Sequence, residues 1–134
     1  MKSFSGQDRV DLTRVLLEML EDWGLNSEQT IHILGLPAKT SARKLLQYRN
    51  DYPLPEDENV DLHIEHLLGI ADALRTMHPT NAQMGARWMR KPCRQFGGRP
   101  PLQVICESEG ASGLVAVRSQ IDCTFAWNLT GSNG

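Results

Sequence analysis

Residues 84–102 read MGARWMRKPCRQFGGRPPL, and this stretch contains both a helix stop and a helix start. Pro92 stops one helix, the FGGR segment at 96–99 predicts a tight loop with positive φ at glycine, and Pro100-Pro101 begins the next helix. These glycines are not a phosphate loop, because the Gly-x-x-x-x-Gly-Lys spacing is absent and no strand precedes them. The residues alone leave two interpretations open: a second nucleic-acid patch, or a hinge that packs two helices together.

Helices are predicted on both sides of this stretch. Apolar residues recur at three- and four-residue spacing over 12–23, 60–74 and 114–125, which is typical of helices with one buried face. The predicted helix starts are residues that can cap an N-terminus: Asp8, Ser27, Thr40 or Ser41, Asn59 and Asn81. Because strand-like alternation is absent, the predicted fold class is all-α. We expect an N-terminal helical domain over 8–78, a small helical C-terminal domain over 79–127 and a loose tail over 128–134.

Length and composition exclude several classes of protein. The 134 residues suffice for one ordinary domain or two very small ones, and aromatic residues, at 6%, are too few for a single-strand stacking platform. Three cysteines without paired spacing do not form a disulfide framework. No apolar run of signal-peptide or membrane-spanning length occurs. We therefore expect a cytoplasmic protein that does not enter a membrane.

Basic residues are concentrated in two windows that contain no acid. Window 39–49 holds four and window 87–99 holds five, so together they contain nine of the 14 basic residues. Such a distribution suits a protein that contacts a polyanion with one face. Chance clustering on a solvated surface explains the charges equally well.

The predicted short helices 27–35 and 40–50 have the pattern of a helix-turn-helix. In the second helix, Ala42, Leu45 and Tyr48 would face the core. The residues left to contact DNA have side chains that can pair with bases or phosphates: Lys39, Thr40, Ser41, Arg43, Lys44, Gln47 and Arg49. An ordinary helical corner with a basic exposed face is the alternative.

Metal and catalytic sites are not predicted. His63 and His66 lie three apart and could share a helical face, but zinc needs three or four ligands and no third ligand is near in sequence. The cysteines never occur as Cys-x-x-Cys, and no nucleophile with a nearby base is indicated. We therefore expect no metal, no cofactor and no enzymatic activity.

The segment 84–102 resembles the start of the C-terminal domain of the Xre/MbcA/ParS antitoxin family. The residues that carry this resemblance are Trp88, Met89, Pro92, Phe96, Gly97, Gly98, Arg99, Pro101 and Leu102. The N-terminal half resembles the Xre-like helix-turn-helix of the same family. It does so through Asp22-Trp23-Gly24-Leu25, residues 40–45 and Leu67-Leu68-Gly69-Ile70. The resemblance covers roughly residues 8–127, and the glycine-proline motif is its more specific half.

The resemblance implies an antitoxin of a type II toxin–antitoxin system. Family members form homodimers, bind their operator DNA through the helix-turn-helix and neutralise a toxin with the C-terminal domain. The usual partner is a RES-domain toxin, which consumes NAD and whose active-site entrance the antitoxin covers. On this chain the implied toxin contacts are in the final helix: Arg118, Asp122, Phe125 and Trp127.

Two departures from the family pattern stand out. Cys93 occupies a place where a polar Asn or His is expected, and the final segment 122–127 (DCTFAW) is unusual. The second departure bears on how a toxin would be blocked. Two alternatives to the antitoxin therefore remain open: a stand-alone helix-turn-helix regulator, and a scaffold that uses this domain for protein contacts.

Overall fold

The chain is all-α in the computed structural model, which describes the backbone of residues 6–130 and the side chains of residues 7–81 and 83–122. Within that range it forms seven α-helices and one short 3-10 turn. They are α1 (Gly6–Asp22), α2 (Ser27–Ile33), α3 (Ala42–Asn50), α4 (Glu58–Met77), α5 (Ala82–Arg90), the 3-10 turn (Arg94–Phe96), α6 (Pro101–Glu107) and α7 (Ser112–Thr130). Over the described part of the chain, no helix is long and apolar enough to cross a membrane.

The chain divides into two compact units, residues 1–65 and 66–134, and the division falls within α4. The sequence places the domain boundary after residue 78 instead, and that boundary remains a proposal. Each unit has its own set of buried apolar side chains. In the first unit, α3 packs on α1 and on α2; in the second, α6 packs on α5 and on α7.

A buried arginine organises the first unit. Arg9 on α1 is 5% exposed. It donates hydrogen bonds to the carbonyl oxygens of Leu54 and Pro55, both at 2.7 Å, and pairs with the carboxylate of Asp61 at 2.8 Å. A buried guanidinium needs such partners because desolvation is otherwise costly. The contact ties α1 to the α3–α4 connection and to the first turn of α4.

Several helix starts differ from the sequence prediction by a residue or two. Asn26 rather than Ser27 caps α2, because its side chain and that of Gln29 form a reciprocal capping box. Asp57 rather than Asn59 accepts the first backbone N–H groups of α4, and Asp8 lies in the first turn of α1 instead of capping it. Ser41 and Asn81 cap α3 and α5 as predicted.

Two predicted inward-facing residues are exposed. Val15 of α1 is 60% exposed, and Leu17, outside the predicted stripe, is buried in its place. Ala42 of α3 is also exposed, although Tyr48 on the same helix is buried as predicted. Both differences arise because a three- or four-residue spacing fixes a stripe only to within a neighbouring position.

Close contacts at glycine shape the second unit. Gly113 on α7 lies so near α6 that a Cβ there would be 2.6 Å from the Ile105 Cα and 2.9 Å from the Val104 carbonyl oxygen. Beyond it, Leu114, Val117 and Ile121 are fully buried, as predicted. Helix α7 continues to Thr130, so its backbone includes the first three residues, 128–130, of the tail expected at 128–134.

Candidate functional site

The first candidate site is α3, the helix predicted to contact DNA. The Ser41 side chain accepts a hydrogen bond from the backbone N–H of Lys44 at 3.1 Å, which fixes the start of the helix. Gly35, at φ +74°, turns the chain after α2. The connection between α2 and α3, residues 34–41, is longer than the roughly three- to four-residue turn of a compact helix-turn-helix.

The predicted DNA contacts fall into two groups by exposure. Four of them are exposed: Lys39, Ser41, Arg43 and Lys44. The other three are partly buried: Thr40, Gln47 and Arg49. The Arg43 side chain makes no hydrogen bond or ion pair to any residue that the structure describes, so its guanidinium is available to a ligand.

Arg49 has acidic partners within the unit. Its guanidinium lies 2.9 Å from the Glu21 carboxylate and 3.6 Å from that of Glu18, both on α1. The hydrogen bond with Glu21 raises the pKa of Arg49, and the charges of Glu21 and Glu18 add to this effect. Since two carboxylates already lie beside it, Arg49 is the least available to a phosphate of the four basic residues among the predicted contacts.

Lys44 is held over two aromatic rings. Its Nζ lies 5.6 Å from the ring centres of both Tyr48 and Tyr52, within range of cation–π attraction. Tyr48 is buried, and burial raises the pKa of its hydroxyl. Lys44 is thus oriented by its neighbours while its side chain stays exposed, which is a suitable arrangement for a phosphate contact.

An apolar groove of about 470 Å³ runs between α1, α2 and α3. Leu17, Leu25 and Leu45 line it, and Arg49 with Glu21 forms one side. Leu46, also at the groove, is 63% exposed. An exposed leucine on α3 was not predicted, and it gives this helix an apolar contact group one turn from Arg43.

The second candidate site is the turn between α5 and α6. Gly97 and Gly98 adopt φ of +70° and +87°, as the sequence predicts. The backbone N–H of Cys93 donates to the Arg99 carbonyl at 3.2 Å, and that of Gly98 donates to the Cys93 carbonyl at 2.9 Å. These bonds close the loop, so the motif positions α6 relative to α5.

The Arg99 side chain braces this turn. It donates to the Phe96 carbonyl at 3.1 Å and pairs with the Glu107 carboxylate at 3.1 Å. Hydrogen bonds from Gln103 and Arg99 lower the pKa of Glu107. Of the remaining motif residues, Pro101 is buried in α6, Trp88 is half-buried and Pro92 is exposed. Arg99 and Pro101 therefore have a structural role inside the unit.

The predicted toxin contacts lie on α7, and two of them can be placed. Asp122 is exposed. Arg118 is half-buried, and its Nη1 donates towards Nδ1 of His66 at 3.3 Å. The guanidinium lies directly over Gly69, where a Cβ would come within 2.4 Å of it. Phe125 and Trp127 lie outside the residues whose side chains the structure describes.

Gly69 was the feature of this site that the sequence prediction missed. A glycine inside a long helix costs stability relative to alanine, so its presence could have pointed to a close contact. The partner, Arg118, is distant in sequence and could not have been named.

The two histidines considered for zinc make different contacts. His63 is buried and its Nδ1–H donates to the Ile33 carbonyl at 2.9 Å, whereas His66 accepts from Arg118. Among the described residues, no group of three or more His, Cys, Asp or Glu side chains could hold a metal ion. Cys93 and Cys106 are unpaired and half-buried, and burial raises the pKa of the Cys106 thiol.

The fold defines this protein as an all-α protein in which a glycine-proline turn joins two packed helices. Residues 73–122 match a protein family described as the antitoxin Xre/MbcA/ParS C-terminal toxin-binding domain. This match confirms the resemblance over the C-terminal part of the chain. A comparison of the whole chain with curated proteins finds no match.

Proposed function

We propose that this protein is the antitoxin of a type II toxin–antitoxin system. The observation that carries the proposal is the toxin-binding domain at residues 73–122. A domain whose family binds toxins implies a toxin as partner and a regulatory rather than a catalytic role. We further propose that the toxin is a RES-type enzyme that consumes NAD, and that the antitoxin is a cytoplasmic homodimer.

Toxin neutralisation is assigned to α7. Arg118 and Asp122 lie one turn apart on this helix, and Arg118 is oriented by Gly69 and His66 rather than free to rotate. A pre-oriented guanidinium loses little freedom on binding, which favours a specific contact with a carboxylate or phosphate. In the proposal, α7 covers the entrance to the toxin's active site.

Operator binding is assigned to α3. Arg43 and Lys44 are exposed, and Lys44 is oriented by two tyrosines, so together they can contact bases and phosphates. A single short helix makes few contacts, and a homodimer with two copies of α3 would roughly add their binding free energies. Autorepression of the operon follows from such binding.

The proposal that α7 binds the toxin is tested by truncation after Asp122 and by the double variant Arg118→Ala/Asp122→Ala. Both changes keep Leu114, Val117 and Ile121 in the core, whereas a deletion of residues 114–134 removes them. We expect each variant to fold and to lose neutralisation of the neighbouring gene's product in a growth assay. Ser119→Ala, at an exposed position of the same helix, is the control and should neutralise normally.

The proposal that α3 binds the operator is tested by the double variant Arg43→Ala/Lys44→Ala in a gel-shift assay on the DNA fragment upstream of the protein's own gene. We expect the shift to disappear while toxin neutralisation survives. Arg75→Ala, which removes a cation already paired with Asp72 at 2.9 Å, is the control. A normal shift by the double variant would remove α3 from the proposal.

A stand-alone transcriptional regulator is the second candidate. The observation that favours it is the unusual segment 122–127, which departs from the family pattern on the helix assigned to the toxin. For such a regulator, loss of α7 contacts would leave repression intact and no neighbouring gene product would be neutralised.

A further inference from the structure

Four exposed cations of the second unit have no side-chain partner among the residues that the structure describes. We define the basic patch as Arg87 and Arg90 of α5, Lys91 directly after it, and Arg94 of the 3-10 turn. All four are exposed, and none of their side chains forms an ion pair or hydrogen bond with any group in the described part of the chain. The sequence explains this, because no Asp or Glu occurs between Asp72 and Glu107.

Other arginines of the second unit are engaged. Arg75 pairs with Asp72, Arg99 pairs with Glu107, and Arg118 contacts His66. The basic patch therefore differs from its surroundings in both charge density and lack of neutralisation. A concentrated positive charge that no acid offsets attracts a polyanion.

The patch is held outward by the packing of α5. Ala86 and Met89 of α5 are buried while Arg87 and Arg90 are exposed, and a Cβ at Gly85 would touch the Leu74 side chain at 3.3 Å. Since this close packing fixes the rotation of α5, Arg87 and Arg90 cannot turn towards the core. They lie three residues apart, so their side chains leave the helix as neighbours.

Helix-end electrostatics does not account for the whole patch. Cations in the last turn of a helix interact favourably with its negative end, and Arg87 and Arg90 occupy that turn of α5. Arg94 lies beyond it, in the 3-10 turn, and gains nothing from that end. The patch therefore contains more charge than the stability of α5 requires.

We propose that the basic patch binds the phosphate backbone of duplex DNA and adds sequence-independent contacts to those of α3. The inference rests on the proposed function, since it extends DNA binding to the second unit. A protein partner fits less well, because arginine anchors of protein interfaces are accompanied by aromatic or apolar anchors, and the patch has no exposed large apolar side chain. The exposed large apolar side chains among the described residues are Val15, Leu46, Tyr52, Leu62 and Val115, and none lies within residues 84–99.

The test measures binding to a mixed-sequence duplex of about three helical turns, by fluorescence anisotropy, from about 50 to 200 mM salt. Arg90→Gln and the double variant Arg87→Gln/Arg90→Gln are compared with Arg75→Gln, which removes one neutralised cation from the same unit. Glutamine keeps helix propensity close to that of arginine, so folding is preserved. Circular dichroism and thermal unfolding verify this.

The slope of log K against log salt is negative, and each lost phosphate contact should reduce its magnitude by about 0.9. The double variant should reduce the magnitude by about 1.8. If the variant and the wild type bind equally at about 1 M salt, the loss of one contact lowers the affinity about eightfold at about 0.1 M salt. Arg75→Gln should leave the slope unchanged. An unchanged slope in the double variant overturns the inference.

The same assay with Arg43→Ala/Lys44→Ala separates this inference from the proposed function. If the α3 variant loses the operator shift but the patch variants keep the wild-type salt slope, the patch has no role in DNA binding and the proposed function stands. If the patch variants lose slope while the α3 variant still shifts the operator, the patch is supported and α3 is not. Patch variants with normal DNA binding that fail to neutralise the toxin would assign the patch to the toxin instead.

Discussion

Each of the two units has its own kind of internal contact that holds it together. In the first, a buried arginine on α1 reaches residues 45 to 52 positions away, so the tie is polar and long in sequence. In the second, α6 and α7 approach so closely at Gly113 that only a glycine fits, and a glycine-proline turn sets the preceding corner. The contrast shows why a short motif identifies the second unit more specifically than the first.

Removing the long-range contacts of Arg9 should lower the stability of the protein more than any other change. We expect Arg9→Leu to lower the free energy of unfolding by about 3 kcal/mol, because it leaves Asp61 and two carbonyl groups without their donor. Arg14→Leu on the same helix is the control, since Arg14 is more exposed and its nearest ion pair spans 3.5 Å; it should cost under about 1 kcal/mol. Urea denaturation of both variants measures the difference, and equal losses would contradict the importance given to Arg9.

Filling the close contact in the second unit comes next. Gly113→Ala should cost about 2 kcal/mol, because the new methyl group meets the α6 backbone, which cannot move aside easily. Gly69→Ala is the matched control: there the methyl meets only the end of the Arg118 side chain, which can shift. We expect that variant to gain up to about 1 kcal/mol from helix propensity. If both substitutions change the free energy of unfolding in the same direction, the close approach of α6 and α7 is not what stabilises this unit.

Gly69→Ala also separates stability from function. It should move the Arg118 guanidinium away from its place over α4 and weaken toxin neutralisation without unfolding the protein. Thermal unfolding and the growth assay together measure the two effects. Full neutralisation by a stable Gly69→Ala variant would show that the orientation of Arg118 has no part in toxin binding.

The glycine-proline turn should respond to backbone conformation rather than to space. Gly97 has φ +70° and no atom within 4 Å of a Cβ position. Gly97→Ala should therefore cost about 1 kcal/mol through the left-handed conformation alone. Gly97→Asn should cost less, because asparagine tolerates this region better. Denaturation of the pair tests the order, and a harmless alanine would contradict the reason given for this glycine.

The smallest effect concerns pH. Hydrogen bonds from Gln103 and Arg99 lower the folded-state pKa of Glu107 below its usual 4.5. A depressed carboxyl pKa stabilises the folded state above the unfolded-state value, and this contribution is lost as the pH falls through the folded pKa. Arg99→Gln should make the loss of stability below pH 4.5 shallower. Unfolding curves from neutral pH into the acid range measure this; an unchanged slope would show that the Arg99–Glu107 pair is not coupled to folding.

The sequence predicted what depends on near neighbours along the chain. The positive φ of Gly97 and Gly98, the cap at Ser41 and the buried stripe of Leu114, Val117 and Ile121 all follow from local spacing, and the structure confirms them. The family resemblance carried by the 84–102 motif is confirmed over residues 73–122.

What the sequence did not predict depends on contacts between distant residues. The engagement of Arg49 by Glu21 involves side chains on different helices. The same holds for the Arg9 network and for the seating of Arg118 over Gly69. Periodicity assigns a residue to a face of its helix, but it does not say which side chain of another helix lies opposite.

The central claim is that this protein neutralises a toxin, and one measurement tests it most directly. The reading frame next to its gene is expressed with and without this protein, and growth and intracellular NAD are followed together. We expect NAD to collapse and growth to stop when the neighbour is expressed alone, and both to recover when this protein is present. Normal growth and normal NAD with the neighbour alone would contradict the antitoxin proposal and favour a stand-alone regulator.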